Sequence, residues 1–463
     1  MLYLILKFII KAAVKIFFKT IHVRNTEFVL SNVPLIIAAN HPSTSMDPLV
    51  LGSYIKQPLY FIARGNLFTT PLKRWFFSKL HMIPIYRKHE NPELVEKNEE
   101  IFRECYRLLA NKGAILIFPE GLSKKDRRLH KIKTGTARIA LGAEAENNFK
   151  LGVVLIPVGL NYSDVGIFRS ELFINFGKPI DISQFFEMYC RDEHEAVRTL
   201  TEHIRERLEK HTITVENETL DQLVGNIETV YKSELSDELG LSLKQKQDDF
   251  LLTRGIVEAV HYFYSMNPRK VESFRNKIQL YLHKLERLNL KDSMLFEKSA
   301  SGGKDGTLRR SISIDSLRTV LFALFGFPFY LYGVINNYLP YRLPRLLAEK
   351  MYKTIEYQGP TKMITGIITF AGFYTVQILL VAAIFNTLWV TIVYAVTLPL
   401  TGFFALAYWD RMKQIHSNIF FVSLFYRRRF LVSDLIQQRI KIIKALEKAK
   451  REYIQFQKEH TGE

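Results

Sequence analysis

The sequence predicts an α/β domain carried by membrane-associated helices, and three observations predict it. Short apolar runs that read as buried strands alternate with helical stretches between residues 21 and 210. Residues 364–409 hold no Asp, Glu, Lys, Arg or His over 46 positions. The 463-residue chain is strongly basic, with a formal net charge of +18, and most of that charge flanks its apolar segments. Residues 1–20 carry four Lys and no acid, residues 340–363 five basic and two acidic residues, and residues 410–463 twelve basic and six acidic. Between residues 21 and 339 the balance is nearly even, with 43 basic and 38 acidic residues. Cations beside apolar segments suit a membrane protein with its basic parts on the cytoplasmic side, not a nucleic-acid binder with one basic face. Only two cysteines, Cys105 and Cys190, exclude a disulfide scaffold.

Each element follows in chain order. Residues 1–20 place Lys7, Lys11, Lys15 and Lys19 four apart, which sets them in one stripe of a helix that is otherwise almost wholly apolar. A lysine on every turn argues against a spanning helix, and the charge pattern argues against a signal peptide. The segment reads as an amphipathic helix in the membrane interface, its lysines toward anionic head groups. The plainer alternative is a helix docked on the protein's own core. Residues 21–210 form the α/β domain, with strands expected at Leu35–Ala39, Tyr60–Ala63, Ala114–Phe118, Val153–Val158 and Leu172–Phe176. Asn91-Pro92 suits a helix start with Gly113 just past the end, and Lys133–Leu141 is a further short helix.

Residues 211–300 have helical periodicity, as in Ile256, Val260 and Phe263, and read as a helical accessory region. The run Ser299–Thr307, SASGGKDGT, begins a linker over 301–316. Residues 317–340 read as a membrane-embedded segment, and 364–409 as a transmembrane hairpin. The latter would be about 69 Å long as one helix against a hydrocarbon core of about 30 Å, so it turns near Asn386. Residues 410–463 read as a basic cytoplasmic helical tail. If 317–340 also crossed, the tail would lie opposite the α/β domain. A re-entrant or in-plane segment broken at Pro328 keeps every soluble part on the cytoplasmic face.

Two stretches carry chemistry. Asn40-His41-Pro42-Ser43-Thr44-Ser45-Met46-Asp47 follows directly on the strand Leu35–Ala39. A histidine at a strand end with an aspartate soon after suits a base oriented by a carboxylate: the aspartate fixes the imidazole tautomer, and the other nitrogen takes a proton from a hydroxyl. By spacing alone, Asp47 equally suits a helix cap. Phe118-Pro119-Glu120-Gly121 ends another strand and precedes Ser123, Lys124, Lys125, Arg127 and Arg128. Glycine permits close backbone approach and the cations neutralise an anion, which suits a phosphate site; a solvated basic loop has the same composition.

Together these stretches resemble the glycerophosphate acyltransferase superfamily, the glycerol-3-phosphate and 1-acylglycerol-3-phosphate acyltransferases. Four blocks over residues 30–180 are similar and in order: Asn40–Asp47; Phe61-Ile62-Ala63-Arg64 through Ile83–Arg87; Phe118–Gly121; and Val154-Leu155-Ile156-Pro157-Val158-Gly159. Five residues separate His41 from Asp47, where the family's commonest pattern has four. Leu122-Ser123 follow Gly121 where Thr-Arg is commonest, as in fungal-type glycerol-3-phosphate acyltransferases and their bacterial relatives. The arginine usual there is replaced, and the candidates are Lys124, Lys125, Arg127, Arg128, Arg64 and Arg87.

The resemblance implies an acyltransferase-type α/β domain and transfer of a fatty acyl group from a thioester, acyl-CoA or acyl carrier protein, to a hydroxyl of glycerol-3-phosphate or 1-acylglycerol-3-phosphate. It implies His41 and Asp47 as catalytic residues, and Arg64, Arg87, Glu120, Gly121, Ser123, Lys124, Arg127 and Arg128 as substrate-binding ones. No cofactor, metal or nucleic acid is expected; membrane lipids are. The implied location is integral to a membrane, with the α/β domain cytoplasmic: the cytoplasmic membrane of a bacterium or the endoplasmic reticulum of a eukaryote. A non-catalytic, lipid-binding membrane protein on the same fold is the alternative. A serine hydrolase is not supported, because no Gly-x-Ser-x-Gly elbow occurs.

Overall fold

A computed structural model of the chain describes residues 2–87, 93, 96–243, 246–288, 290–295, 305–427 and 429–461. The chain divides into two compact units. One comprises Met1–Thr214 with Pro344–Ile367, the other Val215–Leu343 with Ile368–Glu463.

The first unit is built on a seven-stranded sheet in the order β1-β7-β6-β2-β5-β3-β4. Its strands are β1 (Thr20–Arg24), β2 (Leu35–Ala39), β3 (Leu59–Arg64), β4 (Met82–Ile85), β5 (Ala114–Ile117), β6 (Val154–Tyr162) and β7 (Glu171–Phe176). All neighbours are parallel except β6 and β7. Parallel strands need both faces covered, and the side chains of β2 divide accordingly. Ile36 and Ala38 pack toward α4 (Lys97–Ala110), α5 (Gly135–Glu146) and α7 (Glu193–His211), whereas Leu35, Ile37 and Ala39 pack toward α1 (Leu2–Phe17) and α2 (Met46–Tyr54). Every residue of β2 is fully buried. This central strand therefore delivers its C-terminal loop, Asn40–Ser45, from the most rigid part of the sheet.

The expected strands are present with small shifts at their ends, and two were missed. β1 is a half-buried edge strand, and β4 carries Pro84, which an edge strand tolerates. Helix α3 (Pro71–Lys79) enters between β3 and β4. Asn91 and Pro92 lie outside the described residues, and the described helix there begins at Lys97.

Helix α1 has one face docked on the domain and another exposed. Val14 and Phe17 are buried in the core, as is Phe18 just beyond the helix, and the Lys7 ammonium donates to the carbonyls of Ile55 (2.5 Å) and Lys56 (3.1 Å). Lys7 therefore belongs to the docked face. Leu4, Ile5, Phe8 and Ile16 stay exposed together with Lys11, Lys15 and Lys19, so the helix offers a second, solvent-facing apolar surface.

In the second unit, α8 (Glu218–Glu238), α9 (Lys246–Met266) and α10 (Pro268–Arg287) confirm a helical region. Helix α14 (Arg429–Thr461) packs against all three. Arg439, 3% exposed, ties them: it meets Asp292 at 3.0 Å, Glu234 at 2.6 Å and the Val230 carbonyl at 3.1 Å, while the Tyr281 hydroxyl donates to Asp292 at 2.6 Å.

Three further helices are long and apolar enough to cross a membrane: α11 (Asp305–Met351), α12 (Ile355–Phe385) and α13 (Leu388–Arg427). The break between α12 and α13 falls at Asn386, whose φ of 47° marks it. The expected break at Pro328 does not occur, and α11 runs through it as one helix. Of the expected linker, 301–304 lie outside the described residues, and 305–316 are the first turns of α11.

Prolines in α11 free carbonyls that a neighbouring helix then satisfies, as an apolar medium demands. Pro340 cannot donate to the Asn336 carbonyl, which accepts from Gln377 at 3.0 Å; Pro344 cannot donate to the Pro340 carbonyl, which accepts from Thr369 at 3.1 Å. The N-terminal half of α11 runs beside α13, with the Tyr408 hydroxyl on the Ala323 carbonyl (2.8 Å) and Asn337 on the Leu398 carbonyl (3.2 Å). Tyr408 lies about 33 Å of helix from the Asn386 turn, whereas Tyr394, bonded to Asn336, lies about 12 Å from it. Beyond Asn336 the helix follows α12 away from the turn, through Thr369. The first half of α11 thus runs antiparallel to α13 and its second half antiparallel to α12.

Candidate active site

The site sits at the C-terminal ends of β2, β5 and β6, where parallel strands leave a crevice for ligands. Asn40 fastens the loop after β2 to β6: its side chain donates to the Leu160 carbonyl (3.1 Å) and accepts from the Leu160 amide (2.7 Å). The next residue, His41, has its Nδ1 2.8 Å from the Asp47 carboxylate. Asp47 lies in the first turn of α2 and is fully buried. The five intervening residues do not open the pair, because the chain is already turning helically: the Asp47 amide donates to the Ser43 carbonyl at 3.1 Å, and the Ser43 amide donates back to the carboxylate at 2.8 Å.

Asp47 receives a third donor that sequence reasoning missed. The Tyr162 hydroxyl at the end of β6 reaches its other oxygen at 2.6 Å. Burial pushes the Asp47 carboxyl above its usual range, while His41, Tyr162 and the Ser43 amide pull it back. Burial and Asp47 together hold the Tyr162 phenol well above its ordinary value, so it stays a donor. A carboxylate on Nδ1 fixes the tautomer with Nδ1 protonated, which leaves the Nε2 lone pair to accept a proton. The imidazole lies flat on Phe118, ring centroids 3.9 Å apart.

Glu120 is 4% exposed, and its carboxylate is occupied by the loop backbone: one oxygen takes the His41 amide (3.0 Å), the other the His130 amide (2.9 Å). Burial raises its pKa and those two amides lower it. It thereby locks the loop after β5 to the histidine loop, assisted by the Lys124 amide on the His41 carbonyl (3.2 Å). Gly121, at φ +64°, turns the chain in the left-handed region, and the Arg87 guanidinium donates to its carbonyl.

The expected cations are not equivalent. The Lys125 ammonium pairs with Asp164 at 2.8 Å, and Arg87 is committed to the Gly121 carbonyl. Lys124 and Arg128 are exposed, Arg127 is half-buried beside them, and Arg64 is half-buried at the end of β3. The Ser123 hydroxyl is buried with no partner among the described residues. Cys105 is fully buried in α4, where burial pushes its thiol up to about 12, so it belongs to the core. Among the described residues no cluster of His, Cys, Asp and Glu could hold a metal ion.

Residues from the far end of the chain also reach this site. Ser43 and Thr44 donate through their hydroxyls to the Glu356 carbonyl (3.1 and 3.2 Å), and the Glu356 carboxylate accepts the Lys125 amide at 3.1 Å. Lys362 donates to the Gly166 carbonyl at 2.8 Å. Gly359 lies so close to the Val165 carbonyl that a Cβ would come within 2.0 Å of it.

The His41–Asp47 pair, on the loop that leaves the central strand, lies inside the stretch that a family model matches. Residues 20–161 match the family model described as Acyltransferase, so this stretch is an acyltransferase-family domain. The chain is 28% identical over 208 residues to glycerol-3-phosphate O-acyltransferase 1 of Saccharomyces cerevisiae, covering 44% of this chain and 26% of that protein. It is 34% identical over 134 residues to glycerol-3-phosphate O-acyltransferase 2 of the same yeast, covering 28% and 18%. These matches thus span about a quarter or less of the yeast relatives' length. Among solved structures, the 1-acyl-sn-glycerophosphate acyltransferase PlsC from Thermotoga maritima is similar at 22% identity and a TM-score of 0.31, covering 44% of this chain and 79% of that one.

Proposed function

We propose that the chain is a membrane-bound acyltransferase that moves a fatty acyl group from an acyl thioester to a hydroxyl of glycerol-3-phosphate or 1-acylglycerol-3-phosphate. The observation that carries this reading is the chain of contacts from Tyr162 through Asp47 to His41, whose Nε2 has no hydrogen-bond partner among the described residues, beside a cationic loop. Nε2 takes the proton of the acceptor hydroxyl as its oxygen attacks the thioester carbonyl. The imidazolium so formed is stabilised by Asp47 and returns the proton to the departing thiolate. The cations around Gly121, with Arg64, hold the acceptor's phosphate and so place its hydroxyl, which is catalysis by positioning. The donor is acyl-CoA or acyl carrier protein. The yeast relatives named for glycerol-3-phosphate favour that acceptor.

In this reading α12 and α13 cross the bilayer as a hairpin. Helix α11, one unbroken helix, is read as embedded in the bilayer without changing sides, so that the basic flanks stay together. The catalytic domain, the accessory helices and the tail then share the cytoplasmic face, which matches the basic residues flanking the hairpin. The test is an assay of purified, membrane-reconstituted protein with radiolabelled glycerol-3-phosphate and lysophosphatidate side by side. Acyl transfer to either acceptor supports the reading. Transfer to neither, with acyl-CoA and acyl carrier protein both offered, rejects it.

A further inference from the structure

Helix α3 is a nine-residue helix without a single buried residue. Leu72 is 74% exposed and Trp75 56%, and Phe76 and, just before the helix, Leu67 are exposed as well. A contiguous aromatic and aliphatic face on an otherwise well-packed domain marks a contact surface. The charge around it selects the partner. From residue 48 to residue 89 the chain holds no Asp or Glu but seven cations, including Lys73, Arg74 and Lys79 on α3 itself. The face also continues into another. His81, just after α3, is sandwiched between Tyr60 and Tyr3, with centroids 4.5 and 4.6 Å away, and the Tyr3 hydroxyl accepts the Leu59 amide at 3.2 Å. Tyr3 thereby fixes the N-terminal end of α1, with its exposed Leu4, Ile5 and Phe8, next to α3.

We propose that α3 is a membrane-docking helix that lies in an anionic phospholipid surface beside α1. Its apolar side chains enter the head-group boundary while its cations meet lipid phosphates. The full chain in vesicles of phosphatidylcholine and phosphatidylglycerol tests this. With Trp389→Phe and Trp409→Phe, Trp75 is the last of the three tryptophans. Its fluorescence should fall at least twofold with shallowly brominated lipid and resist aqueous iodide. Quenching by iodide alone, or protection from both quenchers by a covering protein, would overturn the proposal. Should the double variant fold poorly, a nitroxide at Leu72→Cys in a Cys190→Ser background reads the same contact. It should collide with oxygen more than with a water-soluble nickel complex, and the reverse preference refutes it.

A second inference rests on different contacts and on the acyl-transfer reading. Pro360 lies inside α12 and has no N–H for the Glu356 carbonyl one turn earlier. That carbonyl instead takes the hydroxyls of Ser43 and Thr44 on the histidine loop. These residues lie outside the stretch that matches the acyltransferase family. The geometry points to Pro360 and Glu356 as positioning residues through which the first hairpin helix holds His41 in register. Pro360→Ala restores an N–H that competes for the carbonyl. It should lower kcat roughly tenfold with the KM for the acyl donor unchanged, and adding Ser43→Ala and Thr44→Val should cost little more. Additive losses, or a change in KM alone, would contradict the role. Wild-type protein without acyl transfer would instead reject the reading on which it rests.

Discussion

Two buried charge clusters in this chain look alike and end differently. Arg439 is surrounded by Asp292, Glu234 and a backbone carbonyl, and its guanidinium is spent on holding helices together. The cluster at the end of β2 has similar ingredients, with a buried carboxylate, a tyrosine donor and a nitrogen partner, yet one ring nitrogen of His41 remains without a protein partner among the described residues. Tyr281 on Asp292 and Tyr162 on Asp47 even meet at the same 2.6 Å. The difference between scaffold and site is a single unspent lone pair, placed on a loop that leaves a central strand.

Substitutions break this comparison in order of size. His41→Ala removes the proposed base and should lower kcat by roughly 10²–10⁴-fold, the usual worth of general-base catalysis, while the lost hydrogen bond to buried Asp47 costs only about 1.5–3 kcal/mol of stability; steady-state kinetics and thermal unfolding read the two quantities. Arg439→Ala should do the opposite. Leaving buried Asp292 and half-buried Glu234 without their partner costs about 3–5 kcal/mol of stability, seen in denaturant unfolding, while turnover per folded molecule persists. Equal loss of turnover in both variants would mean that the two clusters are not divided as described. Tyr162→Phe sharpens the contrast further. It deletes one hydrogen bond to a buried carboxylate, worth about 1.5–3 kcal/mol, and should lower kcat about tenfold without abolishing it.

The sheet was legible because its central strands are continuous apolar runs. Leu35–Ala39 matches β2 residue for residue, since only a strand buried on both faces reads that way. β1 and β4 were not legible: TIHVR and MIPI are half-buried edges whose pattern weakens with their burial. His41 and Asp47 stood out together because they lie on one loop and one helix turn. Tyr162 and Glu356 did not, being 115 and 313 residues from the Asp47 and Ser43 they contact. Signals existed for both. Tyr162 is a polar residue ending the apolar strand beside β2, and Pro360, the sixth residue of α12, lies past the first turn, where a carbonyl must find another donor. The break expected at Pro328 does not occur, and α11 passes through this proline as one helix.

The pH dependence of kcat for the reconstituted wild-type enzyme tests the central claim most directly. The base works only as a neutral imidazole, so the rate should fall as pH drops into the acid range. Asp47 acts in the same direction. Its carboxyl, raised by burial, protonates sooner than an exposed one as pH falls, and a neutral carboxyl no longer stabilises the imidazolium. The account predicts an acid limb approaching a tenfold loss per pH unit; a flat profile across that range would contradict it.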